Sequence, residues 1–156
     1  MIVVDANILI YSLIQSDPSR LIQQLRAKDA DWRTAALFLH DTLNVLATYQ
    51  RREALTLAQC RVLLGRAERF VQMAQCEVAM GIALDLAAKF GITGCDAQYV
   101  VVAQSLNVPL ITEDVRCKKR YPTSRCPCRT FSPGNRALDA VHTGHSYQLT
   151  ARGEYR

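Results

Sequence analysis

The uninterrupted β-branched run Ile2-Val3-Val4, closed at once by Asp5, most narrows what this chain can fold into. A strand with one wetted face alternates apolar and polar residues, whereas a run that is apolar throughout is covered on both faces, as in a parallel sheet between helices. A second such run, Val108 to Ile111, again leads into acids, Glu113 and Asp114. The stretch between has mainly helical period. Ser16-Asp17-Pro18 is a helix start, with Asp17 as cap and Pro18 first in the helix, and Leu21, Leu25 and Ala27 form an apolar stripe to about Lys28. Thr34 is a cap for a helix reaching about Arg51 through Leu37, Phe38, Leu43, Val45, Leu46 and Tyr49, and Thr56 starts a third through Val62, Leu63, Ala67 and Phe70. Cys76 to Met80 alternates as a short strand. Ile82 to Phe90 is helical and stops at Gly91, the usual residue for a left-handed C-cap, and Asp96 opens a largely buried helix to Leu106. Arg129 to Phe131 reads as one last strand. The order predicts an α/β fold, a three-layer α/β/α sandwich on a mostly parallel central sheet, in one domain over residues 1–131. From Ser132 the pattern fails, so 132–156 is expected to be a mobile C-terminal tail.

With 156 residues, 49% of them hydrophobic and 21% charged, the chain can fill one core without disulfides. No apolar run approaches the roughly eighteen residues of a bilayer span, and Asp5 falls where a signal peptide would continue its apolar region, so the expected location is the cytoplasm, with no membrane partner. All six cysteines read as thiols, three of them in apolar helix or strand patterns. Cys117 with Cys126-Pro-Cys128 lacks the spacer and fourth ligand of a zinc site. The net charge is +5, and between Val115 and Leu138 stand Arg116, Lys118, Lys119, Arg120, Arg125, Arg129 and Arg136 with no acid. Such a strip suits a phosphate backbone or an acidic partner; a solvated face is the plain alternative, and the position directly after Asp114 favours the first.

Asp5, Asp41, Asp96 and Asp114 are scattered along the sequence, yet each stands where an apolar segment ends or turns. In open α/β sheets the working crevice lies beyond the carboxyl ends of the strands, where Asp5 and Asp114 fall. Asp41 sits among the apolar residues of a helix, a costly place for a carboxylate without a cation to bind. Converging carboxylates repel unless a cation or protons neutralise them, which points to a divalent metal site. Taken singly, each acid is a turn or cap residue, and Glu113 competes with Asp114 as the inward group.

The segments Val4-Asp5-Ala6-Asn7-Ile8-Leu9, His40-Asp41-Thr42-Leu43-Asn44-Val45-Leu46, Cys95-Asp96-Ala97-Gln98-Tyr99-Val100-Val101-Val102-Ala103 and Pro109-Leu110-Ile111-Thr112-Glu113-Asp114 resemble the four motifs of PIN-domain ribonucleases. Within that superfamily they are most similar to the VapC-type toxins of bacterial toxin and antitoxin pairs. The resemblance covers about residues 1–131. It carries the family's acids to Asp5, Asp41, Asp96 and Asp114, with Thr112 as the hydroxyl residue two before the last acid and Asn7 as the polar residue after the first. One position departs: the second acid is typically glutamate in such toxins and is Asp41 here, a loss of reach of roughly 1.3 Å.

The resemblance implies an endoribonuclease that uses Mg²⁺ or Mn²⁺ to cut single-stranded or loop RNA, commonly transfer or ribosomal RNA, through an activated water. Oxygen ligands without histidine or thiolate select those ions. Asp5, Asp96 and Asp114 are the expected metal ligands, Asp41 orients the water or helps hold a second ion, and Asn7 and Thr112 fix carboxylate orientation from behind. Arg116, Lys118, Lys119 and Arg120 are the candidate RNA contacts. A homodimer and a tightly bound antitoxin are also implied. Two other readings stand beside this one: a catalytically weakened PIN fold serving as an RNA-binding or protein-interaction module, and an RNA-maturation nuclease without antitoxin.

Overall fold

Strand β1 (Ile2–Val4) runs through the middle of a parallel sheet, and all three of its residues are buried, as an apolar run at every position requires. The structure, a computed structural model, describes residues 1–14 and 17–112, with side chains for 1–14 and 22–112. Arg129 to Phe131 and segment 132–156 lie outside the described residues. After β1 come α1 (Ala6–Leu13), α2 (Asp17–Lys28), β2 (Trp32–Ala35), α3 (Phe38–Arg51), α4 (Leu57–Ala74), β3 (Gln75–Cys76), α5 (Met80–Phe90), α6 (Gly94–Leu106) and β4 (Leu110–Ile111). The four described strands are ordered β3-β2-β1-β4, every pair parallel, with Val3 opposite Arg33 on one side and Leu110 on the other. Helices flank this sheet in the expected three-layer α/β/α sandwich.

Helix α6 explains much of the core. It packs on β1, β2 and β4 and carries α5 on its other side, so Ala97, Val100, Val101, Val102 and Ala103 are all buried and the helix shows no single apolar stripe. Its start is capped by Thr93, whose hydroxyl accepts from the Asp96 amide, and its end by Asn107 in the left-handed region. Gly91 closes α5 with φ 62°, as expected from its position. Between α3 and α4 the Phe38 and Phe70 rings meet at 5.3 Å, and Thr56 and Gln59 form a full capping box at the start of α4.

The structure departs from the sequence expectations in particular places. Thr34 is no helix cap but lies in β2, fully buried, where its hydroxyl donates to the Val4 carbonyl at 3.0 Å; helix α3 starts only at Phe38. A four-residue strand next to a long helix is easily absorbed into the helical pattern. Helix α1 is hidden because Ile8, Leu9, Ile10 and Tyr11 are consecutively buried and no polar face marks the period. The strand placed at Cys76 to Met80 is Gln75–Cys76 alone, because Met80 already begins α5.

Thr34 ties β2 to the last residue of β1, so Thr34→Val, which keeps the shape and removes the donor, is expected to cost about 1 kcal/mol in urea unfolding with an unchanged m-value.

Candidate functional site

The chain leaves β1 toward β2 and β3 on one side and returns to place β4 on the other, so the strand order reverses at the β1/β4 boundary. A crevice opens outside the carboxyl ends of strands at such a switch point. Asp5 follows β1 there and Thr112 follows β4. The Asp5 carboxylate is 6% exposed and held through both oxygens: Oδ1 accepts from the Ile8 amide at 2.9 Å, and Oδ2 accepts from the Thr112 hydroxyl at 2.6 Å. The Asp5 amide also donates to the Ile111 carbonyl. Asp5 therefore caps α1 while Thr112 fixes its rotation, and the partial positive charge of the helix start favours the ionised acid.

Asp41 stands in the first turn of α3, half-buried, and its Oδ2 accepts from the Tyr99 hydroxyl of α6 at 3.0 Å. Burial pushes the Asp41 carboxyl above the ordinary aspartate range, and the Tyr99 hydrogen bond offsets part of that rise. Tyr99 itself is buried, and burial followed by the charges of Asp41 and Asp5 holds its hydroxyl far above the usual tyrosine range, so it remains a donor. Asp96 lies in the first turn of α6, half-buried, with Oδ2 accepting from the Thr93 hydroxyl at 2.6 Å. The neighbouring Cys95 thiol is pushed up by burial and then by Asp41 and Asp96, which keeps it protonated.

Asp5, Asp41 and Asp96 thus occupy one neighbourhood, linked through Tyr99 and Cys95. Among the described residues no three His, Cys, Asp or Glu side chains are close enough to share one ion, and Asp114 lies outside them. The donor chemistry nevertheless fits a hard dication: the groups are carboxylates, Asp5 is oriented by a hydroxyl and an amide behind it, and the one nearby sulfur is kept as a neutral thiol. Residues Arg116, Lys118, Lys119 and Arg120, with Cys117, Cys126 and Cys128, also fall outside the described residues.

Asn7 follows Asp5 in the first turn of α1. It lines a groove of about 280 Å³ between α1 and α3, together with Tyr11, Asn44, Val45, Tyr49 and Arg52. His40 is exposed, and Trp32 is buried in β2 with its indole N–H on the Asp29 carbonyl. The residues that sequence reasoning missed are Tyr99 as a partner of Asp41 and the groove itself. Tyr99 carries a polar atom in the middle of an otherwise buried apolar run, and such an atom needs a partner; that was the available signal.

The sequence matches the PIN domain family over residues 2–121. No curated protein matches it significantly. Similar solved structures include a protein from Pyrobaculum aerophilum, at TM-score 0.60 and 20% identity, covering 76% of this chain and 78% of that one. A toxin-antitoxin complex from Klebsiella pneumoniae is similar at TM-score 0.58 and 14% identity, covering 86% of this chain and 98% of its own. VapBC2 from Rickettsia felis, solved bound to a DNA fragment from its promoter, is similar at TM-score 0.58 and 17% identity, covering 85% and 100%.

Burial disfavours the ionised form of Asp41, so Asp41→Asn is expected to raise the melting temperature in EDTA at neutral pH. Because the folded-state carboxyl is raised, its ionisation destabilises the fold as pH climbs through and above that value; the advantage of asparagine should shrink as pH falls through the carboxylate range, which thermal melts at several pH values would follow.

Proposed function

The chain belongs to the PIN domain family, and from that premise we propose that it is a metal-dependent endoribonuclease, the toxin of a toxin-antitoxin pair. The observation that carries the reading is the buried Asp5 carboxylate, locked by Ile8 and Thr112 at the switch point of a parallel sheet, with Asp41 and Asp96 in the same neighbourhood. A carboxylate fixed in this way is pre-oriented for a cation rather than for a structural ion pair. Asp5, Asp96 and Asp114 would hold Mg²⁺ or Mn²⁺, which would supply an activated water and neutralise charge developing on the phosphate.

The chain's own groups do the positioning. Thr112 and the Ile8 amide stop Asp5 from rotating, Thr93 does the same for Asp96, and the Tyr99 hydroxyl holds Asp41 where it orients the attacking water. Asp41 is one methylene shorter than the glutamate typical of the toxins it resembles, and its link to Tyr99 draws it toward α6. Asn7 remains an orienting residue of the substrate side. The basic residues Arg116, Lys118, Lys119 and Arg120, directly after Asp114, contact the RNA phosphates.

The substrate is an unpaired stretch of RNA, single-stranded or in a loop of transfer or ribosomal RNA, since the acids must reach a backbone not buried in a duplex. A homodimer and a cognate antitoxin accompany this reading; the antitoxin is supported by the fold shared with toxin-antitoxin complexes. A cytoplasmic location follows from such a substrate; no helix among the described residues is long and apolar enough to cross a membrane.

Incubated with mixed RNA and Mn²⁺, the wild type should cut, and Asp5→Asn and Asp96→Asn should each lose at least about a hundredfold in rate, the scale of removing a group that acts electrostatically in the transition state. Equal trace activity in all three would instead assign the fold to RNA binding or protein interaction without hydrolysis.

A further inference from the structure

The groove between α1 and α3 continues one face of the catalytic helix. On α3 and its C-cap, Asp41, Asn44, Val45, Thr48, Tyr49 and Arg52 recur at the three- and four-residue spacing that puts side chains in one row, and all but Asp41 line the groove. On α1, Asn7 and Tyr11 repeat at the same spacing from the other wall, with Asn7 two residues beyond Asp5. The row thus begins at the acids and ends at Arg52 after eleven residues, or about 16 Å of helix at 1.5 Å per residue.

The lining is unusual for a simple packing defect. Tyr11 and Tyr49 give aromatic surface, Asn7 and Asn44 give amides with both donors and acceptors, and exposed Arg52 closes the far end. Aromatic faces take any base by stacking, amides match the hydrogen-bonding edges that an unpaired base displays, and a guanidinium takes the next phosphate. An aliphatic peptide side chain would use the rings but not the amides. A basic peptide would meet Arg52, a like charge.

We infer that the α1/α3 groove is a nucleobase subsite, which receives one unpaired base of the RNA strand next to the acidic crevice at Asp5 and Asp41, where a bound dication would meet the scissile phosphate, while Arg52 contacts a phosphate further along the strand. This inference rests on the nuclease reading for its substrate and extends it by naming where base recognition occurs. Tyr49 also packs against the cluster of Ile10, Ile14, Leu46 and Leu63, so its aromatic wall is set by the core. A rigid wall suits base selection, because little ordering is needed on binding.

The test uses fluorescence anisotropy in EDTA, where cleavage is prevented, with labelled heptamers of uridine, cytidine and adenosine and a matched heptamer carrying one abasic position scanned along the strand. The wild type should lose about tenfold in affinity when the abasic position occupies the groove, the scale of one stacked base. Asn44→Ala and Tyr49→Ala should remove most of that difference and leave the affinity of the abasic strand unchanged. Tyr49→Phe should retain it, which separates loss of the ring from loss of the fold. Arg52→Ala should weaken every strand and lower the salt slope by about one.

Three results would overturn the subsite: no position at which the missing base matters, a difference that survives both Asn44→Ala and Tyr49→Ala, or variants that keep it while losing a co-purified small protein, which would make the groove a protein-docking surface. Failure of the nuclease reading looks different. A wild type that discriminates bases in this assay but leaves mixed RNA uncut in Mn²⁺ keeps the subsite and loses the reaction.

Discussion

A carboxylate buried at the end of a central strand is the constraint around which this molecule is arranged. Asp5 has almost no access to water, and an ionised acid in that position is costly unless hydrogen bonds replace its hydration. The replacement comes from two directions: the first turn of α1 supplies the Ile8 amide, and the chain leaving β4 supplies the Thr112 hydroxyl. The first is local to the helix start, and the second depends on the register that sets Val4 beside Ile111 in parallel strands. Shift that register by one residue and the side chains change faces, so the hydroxyl no longer meets the acid.

The same economy operates at Asp41 and Asp96. Each acid sits in the first turn of its helix, where the backbone amides favour negative charge, and each has a hydroxyl donor supplied by α6 or its cap: Tyr99 for Asp41, Thr93 for Asp96. Helix α6 is thus both the apolar spine against the sheet and the element that orients two of the acids. Its buried run from Tyr99 to Ala103 against the sheet leaves little room for it to slide, which keeps the Tyr99 hydroxyl at a fixed height over Asp41.

Much of this was legible before the fold was known. The β-branched run before Asp5 specified a doubly covered strand, and Gly91 specified a helix end. What was not legible has a common physical cause. Helix α1 and strand β2 are short and buried on most sides, so neither shows the alternation that marks an element in sequence, and Thr34 is equally suited to cap a helix or to fill a strand. The pairing of Tyr99 with Asp41 spans 58 positions and depends on how α6 lies across α3, which no local pattern encodes. Asn7, two residues after Asp5, also lines the groove, a position that depends on how α1 lies against α3.

The account turns on these acids being gathered for a cation. A crystal of the protein soaked in Mn²⁺, measured at a wavelength where manganese scatters anomalously, tests that directly. An anomalous peak bounded by the carboxylate oxygens of Asp5 and Asp96, with Asp114 completing the set, is the predicted result. A difference map empty at that crevice under saturating Mn²⁺, or a peak held by other residues, would contradict it.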